Sequence, residues 1–165
     1  MITQEGLKEL LDYNEESGVF LWKASSNGRV KVGDRAGSVT NRGYSRISIG
    51  GKRYLSHHLA FLFVHGFIPK EIDHIDGNRS NNAIANLREV TRSENCKNMK
   101  RSSRNKSGVT GVSFNKKLSK WRADICVNGK AIYLGAFEEF LKAKEARLQA
   151  EIKYGFHENH GRYHE

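Results

Sequence analysis

The sequence predicts an α+β fold divided between two small domains, and three observations carry that prediction. Residues 72–98, I-D-H-I-D-G-N-R-S-N-N-A-I-A-N-L-R-E-V-T-R-S-E-N-C-K-N, read as a short strand, a turn, a second strand and a helix. Residues 100–107 hold four cations and no apolar side chain, so they break the chain into two stretches of different composition. Beyond the break, alternating strands meet at Asn128-Gly129, a strong hairpin signal, and a helix with an apolar side follows.

The elements follow in order. Thr3 is placed to cap a first helix in which Leu7, Leu10 and Leu11 share one face, ending near Tyr13 with a turn at 14–18. Residues 19–22 read as a strand, with Trp22 assigned to the core rather than to base stacking. Residues 23–32, with Asn27-Gly28, read as a loop. Short strands are expected at 35–40, 44–49 and 52–55, the last two joined through Gly50-Gly51. Ser56 is expected to cap a helix at 57–65 whose Leu59, Ala60, Phe61, Phe63 and Val64 fill the core, and Gly66 to end it. Thr91-Arg92-Ser93-Glu94 is a capping box, so a helix starts near Arg92 with Asn95 in its first turn.

Chain length and charge bound the function. At 165 residues the chain suits one ordinary domain or two small ones, and 38% apolar content with a mean hydropathy of −0.65 limits the core either can bury. A net charge of +10 and a pI near 9.7 point to a polyanionic partner. The surplus is uneven: residues 1–99 carry 14 Lys+Arg against 11 Asp+Glu, and residues 100–165 carry 14 against 7. Cys96 and Cys126 form no zinc or disulfide pattern and are expected reduced. The start, M-I-T-Q-E-G, lacks the features of a signal peptide, and no apolar run approaches a membrane span, so a soluble, cytoplasmic protein is expected.

The chemistry concentrates in 72–98. Asp73-His74 sets a carboxylate beside an imidazole, Asp76-Gly77-Asn78 makes a turn, Asn86 follows Asp73 by thirteen residues, and Asn95 follows Asn86 by nine. An Asp-His pair alone, or an Asp-Gly-Asn turn alone, is ordinary surface sequence; the whole spacing with a capping box is not. A histidine near neutrality can take a proton from water, and Mg²⁺ favours a few oxygen ligands. This pattern resembles the HNH endonuclease family, whose core of two strands and a helix grips one divalent metal (ββα-metal). The resemblance extends over about residues 5–99 and implies catalytic roles for Asp73, His74, Asn86 and Asn95. Asp73 and Asn95 become the metal ligands, His74 the general base, and Asn86 the residue that braces the loop and orients the histidine. Mg²⁺ is the implied ion, with Mn²⁺ as a substitute. The family's upstream His-Arg pair stands here as His57-His58. His57 is weighed evenly between a place near the metal site and plain packing; His58 and His65 are assigned to packing.

Residues 108–115, 121–127 and 131–134 are expected as three strands and about 138–154 as a helix, with Leu141, Leu148 and Ile152, and Ala143, Ala146 and Ala150, on its apolar side. Val112, Phe114, Trp121, Ala123, Ile125, Val127, Ile132 and Leu134 should face that helix. Ser113, Asn115, Arg122, Asp124, Cys126, Ala131 and Tyr133 should face away. Gly111-Val112, Lys120-Trp121, the hairpin and Leu134-Gly135-Ala136-Phe137 resemble the APETALA2/ethylene-response-factor DNA-binding domain over about 105–156. Positions that carry Arg in the plant proteins are Thr110, Ser113, Asn115, Cys126 and Ala131 here, so the plant target sequence does not transfer. The tail from Phe156, with His157, His160 and His164, is expected disordered rather than metal-binding.

The expected organisation is a nuclease domain at 1–99, a basic linker at 100–107 and a DNA-binding domain with a polar tail at 108–165. The expected partner is double-stranded DNA, bound by a monomer or homodimer; no membrane or protein partner is implied. Expected DNA contacts are Arg46, Arg53, His57 and Arg88, then Arg104, then Ser113, Asn115, Lys116, Lys117, Lys120, Arg122, Lys130 and Tyr133. The leading function is metal-dependent DNA cleavage of homing or phage type. A DNA-binding regulator that kept the nuclease fold is the rival, and an RNA-binding protein is weaker because no aromatic ribonucleoprotein signature is present.

Overall fold

The computed structural model describes residues 2–24 and 30–162. The centre of the expected 23–32 loop, with Asn27-Gly28, and His164 lie outside the described residues. The fold is mixed α+β, built from small antiparallel sheets and helices, and it divides into two compact units, up to Val90 and from Thr91.

In the first unit, helix α1 (Gln4–Leu10) is capped by Thr3, whose side chain accepts from Gly6 N. The expected continuation of α1 toward Tyr13 is not seen. Leu11 is already extended and opens strand β1 (Leu11–Asn14), antiparallel to β2 (Val19–Trp22). Pairing with β2 wins there because it buries Leu11 and stacks Tyr13 on Phe20 at 4.5 Å. The expected 35–40 strand shrinks to β3 (Ser38–Val39) beside β4 (Ser45–Ile49) and β5 (Lys52–Leu55), with a lone bridge from Leu21 to Arg35. Gly50 and Gly51 both take positive φ, 54° and 76°, the two-residue turn that suits a twisted hairpin.

Helix α2 (Ser56–His65) starts one residue earlier than expected, and Ser56 is not its cap. Its hydroxyl instead donates to Ser45 Oγ at 2.9 Å, tying the helix to β4. Gly66, at φ 80°, ends α2 as expected. Leu59, Ala60, Phe61 and Leu62 are buried, whereas Phe63 and Val64 lie at the margin. Among the described residues, the unit's apolar core draws on α1, β1, β2, β4 and α2, with Trp22 inside it. Leu87 joins that cluster from β7 (Leu87–Glu89), the antiparallel partner of β6 (Ile72–His74). Leu87 lies opposite His74, so the core sets the height of the strand that carries the histidine.

In the second unit, helix α3 (Arg92–Cys96) starts with the expected capping box between Thr91 and Glu94. Strands β8 (Val112–Asn115), β9 (Lys120–Val127) and β10 (Lys130–Phe137) form an antiparallel sheet in the order β10-β9-β8, packed on helix α4 (Phe140–Lys153). β10 outruns its expected end because a bulge between Tyr133 and Gly135 lets pairing resume as far as Phe137. Val112, Ala123 and Ile125 are buried as expected, but Phe114 is 48% exposed and meets the Trp121 ring edge-on at 5.2 Å.

The expected apolar side of α4 holds for Ala143 and Ala150 and is corrected for its leucines and isoleucine. Leu141, Leu148 and Ile152 are exposed, while Ala143, Arg147 and Ala150 face the sheet. The small side chains let helix and sheet approach closely, and Arg147 satisfies most of its polar atoms inside. It donates to the Asp124 carbonyl at 3.2 Å, pairs with Glu151 at 3.0 Å and meets His160 at 3.2 Å. That arrangement also orders the tail through residue 162, against the expectation of disorder. His157 N donates to Lys97 O, Gly161 N to Met99 O, and Arg162 Nη1 to Asn98 O at 2.7 Å. Both cysteines are free thiols. No helix among the described residues is long and apolar enough to cross a membrane.

Candidate active site

The site is built on β6, where Asp73 and His74 are both buried, at 7% and 5% exposure. Strand pairing sets Asp73 opposite Arg88, whose Nη2 and Nε donate to the same carboxylate oxygen at 2.8 and 3.2 Å. Arg88 was expected to touch DNA; here its guanidinium lies on the carboxylate that the resemblance assigns to metal.

The His74 ring occupies a polar-aromatic pocket. The His57 ring meets it edge-on at 5.0 Å, Tyr44 lies at 6.2 Å, and Nε2 is 3.4 Å from Asn82 Oδ1. Burial is the largest effect on the imidazole and pushes its pKa down; Asn82, Asp76 and Asp73 push upward and Arg79 adds to the fall. His74 is therefore neutral at pH 7 and able to accept a proton. His57 is held lower still, at about 3, by burial and then by the charges of His58 and His74. At 5% exposure His57 is a wall of the histidine pocket rather than a surface contact. His58 lies edge-on to His57 at 4.6 Å, and His65 is exposed at the end of α2.

Asn86 braces the loop. Its amide nitrogen donates to Asp76 Oδ1 at 3.0 Å and to the Asn81 carbonyl at 2.9 Å, and its Oδ1 accepts from Asp76 N. Asp76 is the hub of this turn. Burial would raise its pKa, but hydrogen bonds from Asn81, the Asn78 backbone and Asn86 outweigh that and hold the carboxyl below its usual value. Gly77 takes φ 71° where the chain reverses, and its N–H closes the turn on the His74 carbonyl at 2.8 Å. The histidine itself touches Asn82, four residues before Asn86, which the sequence reading did not single out. Arg79 was missed too. It is exposed, sits 4.8 Å over the Tyr44 ring and acts electrostatically on His74. The signals were present as the doublet Asn81-Asn82 and as a cation inside the turn.

Residues 54–97 match the HNH endonuclease family. The HNH segment therefore contains β6, the loop and β7, with Asp73, His74, Asn82 and Asn86. Among curated proteins, the chain is 46% identical over 67 residues to protein 3.8 of Escherichia phage T7, covering 39% of this chain and 55% of that protein. It is 40% identical over 81 residues to an uncharacterized HNH endonuclease of Acanthamoeba polyphaga mimivirus, covering 48% of this chain and 41% of that one. The aligned stretches thus span about half the length of these relatives. No solved structure matches the chain.

The remaining expected residues are placed as follows. Asn95 lies in α3 of the second unit, its N–H on the Thr91 carbonyl at 3.0 Å. Among the described residues, no group of three or more His, Cys, Asp or Glu gathers as a metal cage. The ligand set implied by the resemblance, one carboxylate and one amide oxygen, is of the sparser kind that Mg²⁺ takes. Arg46 is half-buried on β4, and Arg53 is exposed on β5. In the second unit Arg104, Ser113, Lys116, Lys117, Arg122, Lys130 and Tyr133 are exposed. Asn115 closes the turn after β8 by accepting from Lys117 N and Leu118 N, and Lys120 pairs with Glu138 at 3.6 Å. Arg122 forks onto Asp124 at 2.7 and 2.8 Å and lies over the Tyr133 ring.

Proposed function

We propose that the chain is a metal-dependent DNA endonuclease that hydrolyses phosphodiester bonds, with His74 as general base and one divalent ion, Mg²⁺ or in its place Mn²⁺. The observation that carries this reading is the buried, neutral His74 beside the buried carboxylate of Asp73, inside the segment that matches HNH endonucleases.

The residues fit the ion. Asp73 offers a hard oxygen of the kind Mg²⁺ prefers, and Arg88, 2.8 Å from that oxygen, is the cation with which the ion would share the carboxylate. Asn95 is the proposed second ligand, carried over from the motif alone. Bound there, the ion would supply charge neutralisation at the phosphate and at the leaving 3′ oxygen. His74 takes a proton from the attacking water as its oxygen bonds to phosphorus and the P–O3′ bond breaks; the departing 3′ oxygen takes a proton from solvent, giving a 5′-phosphate and a 3′-hydroxyl. The edge of His57 and the Tyr44 ring restrict how the imidazole turns, and Asn86 keeps the loop from drifting away from β6.

Placement on DNA falls to the second unit, read as an APETALA2-like module. Support comes from its three-stranded sheet backed by one helix and from the exposed cations Lys116, Lys117 and Lys130. A phage or homing role is supported by the viral sources of the relatives, and the host cytoplasm is the proposed location.

One observation favours a second reading. Because Arg88 pairs with Asp73, a DNA-binding regulator that holds no metal would be self-sufficient there. Incubating supercoiled plasmid with Mg²⁺, Mn²⁺ or Ca²⁺ and mapping the ends separates the two. Nicked or linear product bearing 5′-phosphates, abolished in His74→Ala while DNA binding persists, supports the nuclease. Intact plasmid under every metal, with binding retained, favours the regulator.

A further inference from the structure

We propose that Asn82 is the positioning residue of the site, one that fixes the proton of His74 on Nε2 and so makes Nδ1 the atom that receives the proton from water. The inference rests on the reading of His74 as the general base, and it names the atom and the residue behind it.

The geometry assigns the amide. Asn82 Nδ2 donates to the Ser80 carbonyl at 3.0 Å, so Oδ1 is the end turned toward His74 Nε2, 3.4 Å away. An amide oxygen only accepts, so this contact is a hydrogen bond in the tautomer that carries its hydrogen on Nε2, the form in which Nδ1 is the basic nitrogen. Asn82 is 2% exposed and its backbone is pinned. Tyr13 donates its hydroxyl to the Asn82 carbonyl at 2.6 Å. Gly18 lies against the same peptide so closely that a Cβ there would meet Asn82 C and Ala83 N at 2.2 Å. The acceptor thus belongs to a rigid lattice anchored in β1 and in the turn before β2. Asn86, to which the resemblance gives both bracing and orienting, spends its amide on Asp76 and Asn81. The two tasks are divided between two asparagines here.

The test reads the tautomer directly. Long-range ¹H–¹⁵N correlations of the His74 imidazole are recorded on the full chain in EDTA at pH 8. The wild type should show the Nε2–H form. Asn82→Ala should lose that preference, and Asn82→Asp, which keeps an acceptor oxygen, should restore it. In plasmid cleavage, Asn82→Ala should lower kcat by about 10- to 100-fold with KM little changed. An Nδ1–H form in the wild type overturns the proposal without need of any variant. A folded Asn82→Ala protein that keeps the Nε2–H form also overturns it. Failure of the underlying reading is seen separately, as cleavage that survives His74→Ala whatever the tautomer.

Discussion

Replacing Arg88 with alanine asks the most of the site's electrostatics. Asp73 is 7% exposed and takes two guanidinium hydrogen bonds, at 2.8 and 3.2 Å, from a residue whose side chain is 37% exposed. Breaking a fully buried pair costs about 3–5 kcal/mol, and an exposed pair is worth roughly 0–1 kcal/mol. With one partner buried and the other a third exposed, a loss of about 1–2 kcal/mol is expected, because the carboxylate stays behind in a poor solvent. For a unit of this size that shifts Tm down by on the order of 10 °C. Trp22, buried in the first unit's core, reports that transition by fluorescence in a Trp121→Phe background with EDTA present. Mn²⁺ should then recover more of the lost stability in Arg88→Ala than it adds to the parent. In the variant the ion meets a carboxylate that no longer holds an arginine, and a ligand at 100 times its Kd adds about 2.7 kcal/mol. Combining Arg88→Ala with Asp73→Asn should cost less than the sum of the single changes. An Arg88→Ala protein that melts within a degree or two of its parent in EDTA, with additive double-variant costs, would refute the reasoning.

Three further outcomes are expected. His57 has a folded pKa of about 3 against an ordinary 6.5, so below pH 6.5 the unfolded chain binds the extra proton. Stability from this group is thus complete above pH 6.5 and falls by up to about 1.4 kcal/mol per pH unit toward 3; urea unfolding between pH 7.5 and 4.5 measures the slope, which His57→Gln should flatten. Gly18 sits at φ 68° with a Cβ position 2.2 Å from backbone atoms, so Gly18→Ala should destabilise the first unit by about 2 kcal/mol or more and reduce cleavage; calorimetry and the plasmid assay together check this. Arg79 is exposed beside Tyr44 and His74, so Arg79→Ala should weaken duplex binding and lower the salt slope by about 1, read by fluorescence anisotropy across a KCl series.

What could be read along the chain was whatever a few neighbouring residues decide among themselves. The Gly50-Gly51 turn and the Thr91–Glu94 capping box appear as expected, because they close within a few positions. The adjacency of a carboxylate and an imidazole was likewise plain from order alone. Where the chain had to choose between partners distant in sequence, local pattern was silent or misleading. Leu11 left the helix for a strand because pairing with β2 buried it, and α4 turned Arg147 rather than Leu141 or Ile152 toward the sheet.

The active site divides along the same line. Sequence established which side chains are available near β6, among them four asparagines (Asn78, Asn81, Asn82 and Asn86) and two arginines (Arg79 and Arg88). Only the folded chain decided that Arg88 meets Asp73 and that Asn82, not Asn86, meets His74. Those contacts depend on strand register and on a loop held by Tyr13 and Gly18, some seventy residues away in sequence. A hydrogen bond is decided within ångströms, and only long-range packing brings such distant residues that near.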